Sequence, residues 1–283
     1  APSITNVGTQ HVYVRASNAN YTSETCEYTL TITSRPITLT ANSVSKEYDG
    51  NVHDYTETVS PYYTISGDGL AAGESITAIE ITGEGRVVGT YPTTITEGSV
   101  AIGTTTSNYT ITLATGLITI TDRVNDYAIT VVSNSATYTY DGTAKTVSDF
   151  VTLTFTVEGN TYTVSGIAAS VTGILAGTYT NTITGTAIVT DAYDNVVTDQ
   201  FAVTLTAGTL TITESGSIEL TCPSGTSVTK VYDATALAPE ATATGIGSDV
   251  ILIEYSLDNN TWTTTAPSIT NVGTQHVYVR ASN

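Results

Sequence analysis

Apolar residues and threonine take turns along much of this chain. Tyr109-Thr110-Ile111-Thr112-Leu113, Ile118-Thr119-Ile120-Thr121, Ile129-Thr130-Val131, Phe201-Ala202-Val203-Thr204-Leu205 and Val277-Tyr278-Val279-Arg280 all alternate with a period of two. That period puts one face of each segment on a core and the other in water, as in a half-buried strand. Clusters of Gly, Asn, Asp and Ser interrupt the segments at short intervals and predict turns between short strands. The expected fold class is all-β, an elongated array of tandem antiparallel β-sandwich domains.

Self-similarity organises these segments. Residues 1–18, APSITNVGTQHVYVRASN, return unchanged as residues 266–283. A perfect match of that length predicts near-identical blocks of about 265 residues in a longer array. A finer, diverged period runs inside the block. Tyr48-Asp49-Gly50 recurs 92 residues on as Tyr140-Asp141-Gly142, and after a further 92 as Tyr232-Asp233-Ala234. Gly116-Leu117-Ile118-Thr119-Ile120-Thr121 and Gly208-Thr209-Leu210-Thr211-Ile212-Thr213 keep the same step. The period predicts residues 1–34 as the C-terminal part of one repeat domain, 35–122 and 123–214 as two complete domains, and 215–283 as the N-terminal part of a further one. On this reading the chain is a phase-shifted window on the array.

The motifs also fall in a familiar order. Lys46-Glu47-Tyr48-Asp49-Gly50 near a domain start, Val88-Gly89-Thr90-Tyr91 in the middle and Asn108-Tyr109-Thr110-Ile111-Thr112-Leu113 before the terminal strand together resemble the YDG-type and MBG-type Ig-like repeat domains of bacterial surface adhesins. The second repeat keeps Tyr140-Asp141-Gly142 and Ala176-Gly177-Thr178-Tyr179 but has Gln200-Phe201-Ala202-Val203 in place of the Asn-Tyr element. The third departs further, with Asp233-Ala234 for Asp-Gly. The resemblance implies Ig-like sandwiches, an extracellular or cell-surface location and a stalk. It implies that Tyr48, Asp49, Gly50, Tyr140, Asp141, Gly142, Tyr232 and Asp233 are turn and core residues, and it carries over no catalytic residue.

Charge removes several function classes. Eight Lys and Arg face 26 Asp and Glu, a formal charge of −18. Such a field repels phosphate backbones and anionic headgroups, so neither nucleic acid nor a membrane surface is an expected partner. No apolar run reaches the roughly 18 residues of a spanning helix, and no membrane insertion is expected of this segment. Targeting and anchoring signals are expected outside it.

Candidate chemistry is sparse. Cys222 falls in or just after the first strand of its repeat, and Cys26 near the last strand of the repeat that ends at residue 34. Continuing the array by one block places an equivalent of Cys26 in the same domain as Cys222. A disulfide between adjacent repeat copies is therefore expected, closing one domain, and none between these two residues of a single chain. His11, His53 and His276 read as isolated, and no metal cluster is expected. Asp191-Ala192-Tyr193-Asp194-Asn195 followed by Asp199 has closely spaced oxygens, but it lacks a calcium-loop spacing and reads as a solvated turn, with calcium kept as the minor alternative. The glycines of Gly67-Asp68-Gly69 and Gly83-Glu84-Gly85 read as hairpin turns rather than a phosphate cradle. Lys46 and Lys230 are weighed for Lys–Asn isopeptide crosslinks and read as ordinary edge lysines. Trp262 and Tyr255 read as packing aromatics rather than a sugar platform. No nucleophile and base fall in a recognisable arrangement, so no enzyme and no cofactor are expected.

The leading expectation is a structural stalk or fibre segment whose partners are neighbouring repeats of the same protein, in cis or head to tail. Two alternatives stand beside it. One is an adhesive module for surface glycans. The other is a head-to-tail filament in which residues 19–34 of one chain complete the C-terminal domain of the next.

Overall fold

The structure, a computed structural model, describes residues 1–216, 218–247 and 249–283. It is all-β: among the described residues every regular element longer than a single 3₁₀ turn is a strand. Two compact units divide it, residues 1–129 with 154–165 and 188–202, and residues 130–153 with 166–187 and 203–283.

The first unit begins with a hairpin, β1 (Gly8–Asn18) against β2 (Tyr21–Ile32). The chain continues through β3 (Arg35–Ala41), β4 (Val44–Glu47), β5 (His53–Asp54), β6 (Tyr63–Gly67), β7 (Ile81–Thr82), β8 (Glu84–Gly85), β9 (Gly89–Ile95), β10 (Tyr109–Ala114) and β11 (Gly116–Thr121). One sheet has the order β10-β3-β6, another β4-β11-β9-β7, and β5 pairs with β8. Strand pairs β3–β10 and β4–β11 are parallel, unlike the antiparallel pairing expected from the sequence. The alternating pattern fixes which face of a strand is buried and leaves its direction open. Here the first and last strands of the repeat run side by side in one direction and leave one sheet for the other together. Gly116 sits at that crossing, where a Cβ would strike the carbonyl oxygens of Ala41 and Asn42 and lie 2.6 Å from Thr93 Oγ1.

The inward residues of β3, Ile37, Leu39 and Ala41, form a core with Ile81, Ile95, Ile102 and Tyr109. Ile118 and Ile120 of β11 are buried as well. Burying each large side chain of this kind contributes roughly 1.5–3 kcal/mol. By contrast, β1 and β2 are exposed along most of their length. Gly83 and Gly85 are not hairpin turns. They lie where a Cβ would press on Pro92 O at 2.5 Å and on the Tyr91 ring, so a close backbone approach, not a reversal, requires glycine there.

The second repeat starts with β12 (Tyr127–Val132), β13 (Ala136–Thr139), β14 (Lys145–Ser148), β15 (Thr154–Val157), β16 (Asn160–Gly173), β17 (Gly177–Asn181), β18 (Ile183–Asp191), β19 (Phe201–Thr206) and β20 (Gly208–Thr213). In the first unit, β15 pairs antiparallel with the start of β16. In the second unit, β13 runs parallel to β20, which is antiparallel to β17 on its other edge, and β14 pairs with the end of β16. Gly208 repeats the crossing of Gly116, with the carbonyls of Ser133 and Asn134 where a Cβ would be. Val147, Leu210 and Ile212 form the second unit's buried cluster. The chain then continues through β21 (Glu219–Thr221), β22 (Thr242–Thr244), β23 (Leu252–Ser256) and β24 (Tyr278–Ser282), paired β21-β22 and β23-β24.

Candidate functional site: the Tyr-Asp-Gly turns

All three copies of the motif fold into one local shape. Asp49 Oδ1 accepts from the Asn51 amide at 2.8 Å, Asp141 Oδ1 from the Thr143 amide at 2.9 Å, and Asp233 Oδ1 from the Thr235 amide at 2.9 Å. A carboxylate that accepts from the amide two residues on closes an Asx turn, which accounts for aspartate at the second position. The third position has positive φ in every copy: +79° at Gly50, +78° at Gly142 and +60° at Ala234. Glycine occupies that region without a steric penalty; alanine does not.

A basic side chain faces each aspartate. His53 Nε2 lies 3.0 Å from Asp49 Oδ1, Lys145 Nζ donates to Asp141 Oδ2, and Lys230 Nζ pairs with Asp233 at 2.8 Å. Burial pushes the Asp49 carboxyl up, but the Asn51 and His53 hydrogen bonds outweigh it and leave it below the usual carboxylate range. The Lys145 and Thr143 hydrogen bonds bring Asp141 down to about 2. Lys230 and Thr235 lower Asp233 in the same way.

His53 is not the isolated residue the sequence suggested. It is 6 % exposed, and its Nδ1 lies 2.7 Å from Glu57 Oε1 while its Nε2 faces Asp49. Lys46 Nζ closes the cluster on Glu57 Oε2 at 2.8 Å. The signal was present as carboxylates four positions to either side of His53, and only the strand-to-turn geometry brings all three together. Lys46 thus has a carboxylate, not an asparagine, as its ion-pair partner.

What surrounds the turns differs. Around the first, within the first unit, Tyr48 is fully buried, with its hydroxyl 3.5 Å from that of Tyr162. A Cβ on Gly50 would overlap Tyr162 Oη and lie 2.8 Å from Asn160 Nδ2. Arg123 Nη1 donates to Tyr48 O at 2.8 Å and to Tyr127 Oη at 2.9 Å, and its guanidinium carbon stands 3.7 Å from the centre of the Tyr127 ring. Gln200 accepts from the Arg123 amide at 2.9 Å and donates to Asp122 at 2.7 Å. Arg86 donates to Gly50 O at 2.9 Å while lying 4.0 Å over the Tyr193 ring. Within the first unit, residues drawn from 35–122 and from 123–214 therefore interlock at the motif. Tyr48 is raised far above the ordinary tyrosine range by burial first and by Tyr162 second, which keeps it a neutral packing group.

Around the second turn, within the second unit, Tyr140 Oη donates to Asp249 Oδ1 at 2.6 Å, and the nearest atom to a Cβ on Gly142 would be Ile246 Cγ2 at 3.5 Å. The third turn leaves Tyr232 61 % exposed.

The remaining candidates stay apart from these turns. Cys26 is exposed on β2, Cys222 is half-buried just after β21, and both thiols are unbonded in this chain. Asp191 Oδ1 accepts from the Tyr193 and Asn195 amides, each at 2.9 Å, and Oδ2 from Asn195 Nδ2, so the loop's own donors occupy its carboxylate. Among the described residues no cluster of three or more His, Cys, Asp and Glu is arranged to hold a metal, and no helix is long and apolar enough to cross a membrane. Trp262 is half-buried beneath the Arg280 guanidinium, 4.3 Å from its ring centre, and Tyr255 is buried. The chain matches no protein-family model and no curated protein sequence.

Proposed function

We propose that this chain is a load-bearing segment of an extracellular stalk or fibre, built from tandem Ig-like β-sandwich repeats and carrying no catalytic site. The observation that supports this reading most directly is the interlock at Tyr48-Asp49-Gly50. Tyr162, Asn160, Arg123 and Arg86 close around that turn, so within the first unit residues from two periods of the sequence are joined by packed side chains rather than by a free linker. A link of this kind restricts bending and transmits tension, which a spacer needs and a hinged enzyme does not. Parallel pairing of first and last strands in the repeat, β4 with β11, suits the same role, because a pull along the chain then shears several hydrogen bonds at once.

The adhesive alternative would draw first on Trp262, and Arg280 covers that ring. Small-angle X-ray scattering of the chain tests the stalk reading. A rod-like distance distribution, unchanged in an Arg123→Lys variant and broadened in Arg123→Ala, is expected. A compact distribution overturns it.

A further inference from the structure

The same eighteen residues occur twice in this chain and are paired differently. As β1 they lie antiparallel to β2, with Val12 opposite Tyr28 and Val14 opposite Cys26. As β24 they lie antiparallel to β23, with Val279, the copy of Val14, opposite Tyr255. Each arrangement leaves apolar surface uncovered. Val12, Val14, Cys26, Tyr28 and Leu30 share one face of the β1–β2 hairpin by register, and Val14 and Tyr28 on it are 51 % and 57 % exposed. The other face is polar, with Glu27 bonded to His11 at 2.7 Å and to Tyr13 at 3.2 Å. In the second unit a groove of about 810 Å³ is lined by Leu220, Cys222, Leu237, Ile269, Val277 and Val279.

We propose that this groove receives β2 of a second copy of the chain, with β24 taking the place of that copy's own β1. The exchange is favourable for a simple reason. Residues 273–283 are identical to residues 8–18, and β24 already holds the counterparts of residues 13–17 as strand, so once residues 273–277 extend against β2 the segment replaces β1 side chain for side chain and most of the pairing energy cancels. The gain is the apolar face of β2, which passes from water into the groove at roughly 25 cal/mol per Å² of apolar surface buried. Strand exchange between identical elements is a low-cost route to assembly. Carried over by the sequence identity, the β1–β2 register sets Tyr28 against Val277, Glu27 against Tyr278 and Cys26 against Val279, with β24 lengthened by one residue to reach Val277. Cys26 and the two valines are on the same face, and Val277, Val279 and Cys222 line one groove, so the register turns the Cys26 thiol into the groove that holds Cys222. With a small-molecule disulfide as oxidant, one cysteine thiolate attacks it and releases one thiol. The second cysteine then displaces the other half, giving a Cys26–Cys222 bond while the oxidant is reduced to two thiols. The inference rests on reading the chain as part of a repeat array, in which the following block would supply the same strand.

The test uses the whole chain. Incubation with oxidised glutathione is expected to yield a ladder of oligomers on a non-reducing gel, with Cys26 joined to Cys222 by peptide mapping, and Cys26→Ser abolishes it. In sedimentation of the reduced protein, Val279→Asp is expected to weaken self-association at least about tenfold, a loss of ~1.4 kcal/mol. Val14→Asp, which weakens only the β1 pairing that must be given up, is expected to strengthen it. Mixed Cys26–Cys26 and Cys222–Cys222 links, or equal weakening by both valine variants, overturn the proposal. So does a chain that remains monomeric and unlinked while scattering as a rod, an outcome that leaves the stalk reading standing.

Discussion

The first and second Tyr-Asp-Gly turns are nearly identical in backbone and opposite in setting. Gly50 and Gly142 have φ of +79° and +78°, and Asp49 and Asp141 close the same Asx turn. Yet Tyr48 is wholly buried and Gly50 has a tyrosine hydroxyl where its side chain would be, whereas Gly142 meets only Ile246 at van der Waals distance. One motif therefore serves two purposes. Its Asp and Gly make a turn in every copy; its Tyr and the bare face of its Gly become a socket only where a neighbouring repeat supplies Tyr162, Asn160 and Arg123.

Substitution at the two glycines separates those purposes. Gly50→Ala is expected to cost about 3 kcal/mol in denaturant unfolding, from overpacking against Tyr162 added to a left-handed backbone. Gly142→Ala should cost only about 1 kcal/mol, the backbone part alone. Equal losses would remove the socket from the account. Next in size is Arg123→Ala, at about 2 kcal/mol, because its charged hydrogen bonds to Tyr48 and Tyr127 have no counterpart at the second turn. The third copy offers the reverse change. Ala234→Gly relieves a φ of +60° and should stabilise by about 0.5–1 kcal/mol in thermal melts, offset in part by the freer unfolded chain.

Acid gives the smallest effect and a sign check. The folded carboxyl of Asp141 is lowered to about 2, below its ordinary value near 3.9. Its contribution to stability is therefore complete above about pH 4 and is lost as the pH falls toward 2. An Asp141→Asn variant should flatten that part of the acid unfolding curve, and carbon-detected NMR titration of Asp141 reads the lowered value directly. Asp49 and Glu57, both lowered and both bonded to His53, should lose their contribution with the same sign at the first turn.

How far the sequence reached can be judged at particular residues. Alternation predicts strands at Tyr109–Leu113 and Ile129–Val131, and β10 and β12 lie there. At the C-terminal copy it placed Val277 in the strand, while β24 starts at Tyr278. It did not reveal that β3 and β10 run parallel, because direction depends on how the chain returns between them. Nor did it find His53 as a partner of Asp49 and Glu57, since a histidine among threonines signals nothing until the turn folds back on it.

The sequence by itself determined the all-β class, the 92-residue step and the three turns, because strand faces, Asx closure and positive φ are local properties written in adjacent residues. Only the tertiary structure decided what those turns are for. Whether Gly50 is a hinge or a socket depends on Tyr162, more than a hundred residues away along the chain. Whether the strand in residues 266–283 repeats the pairing of residues 1–18 depends on which partner lies beside it, because identical side chains can pair with β2 or with β23 and the surrounding fold selects one.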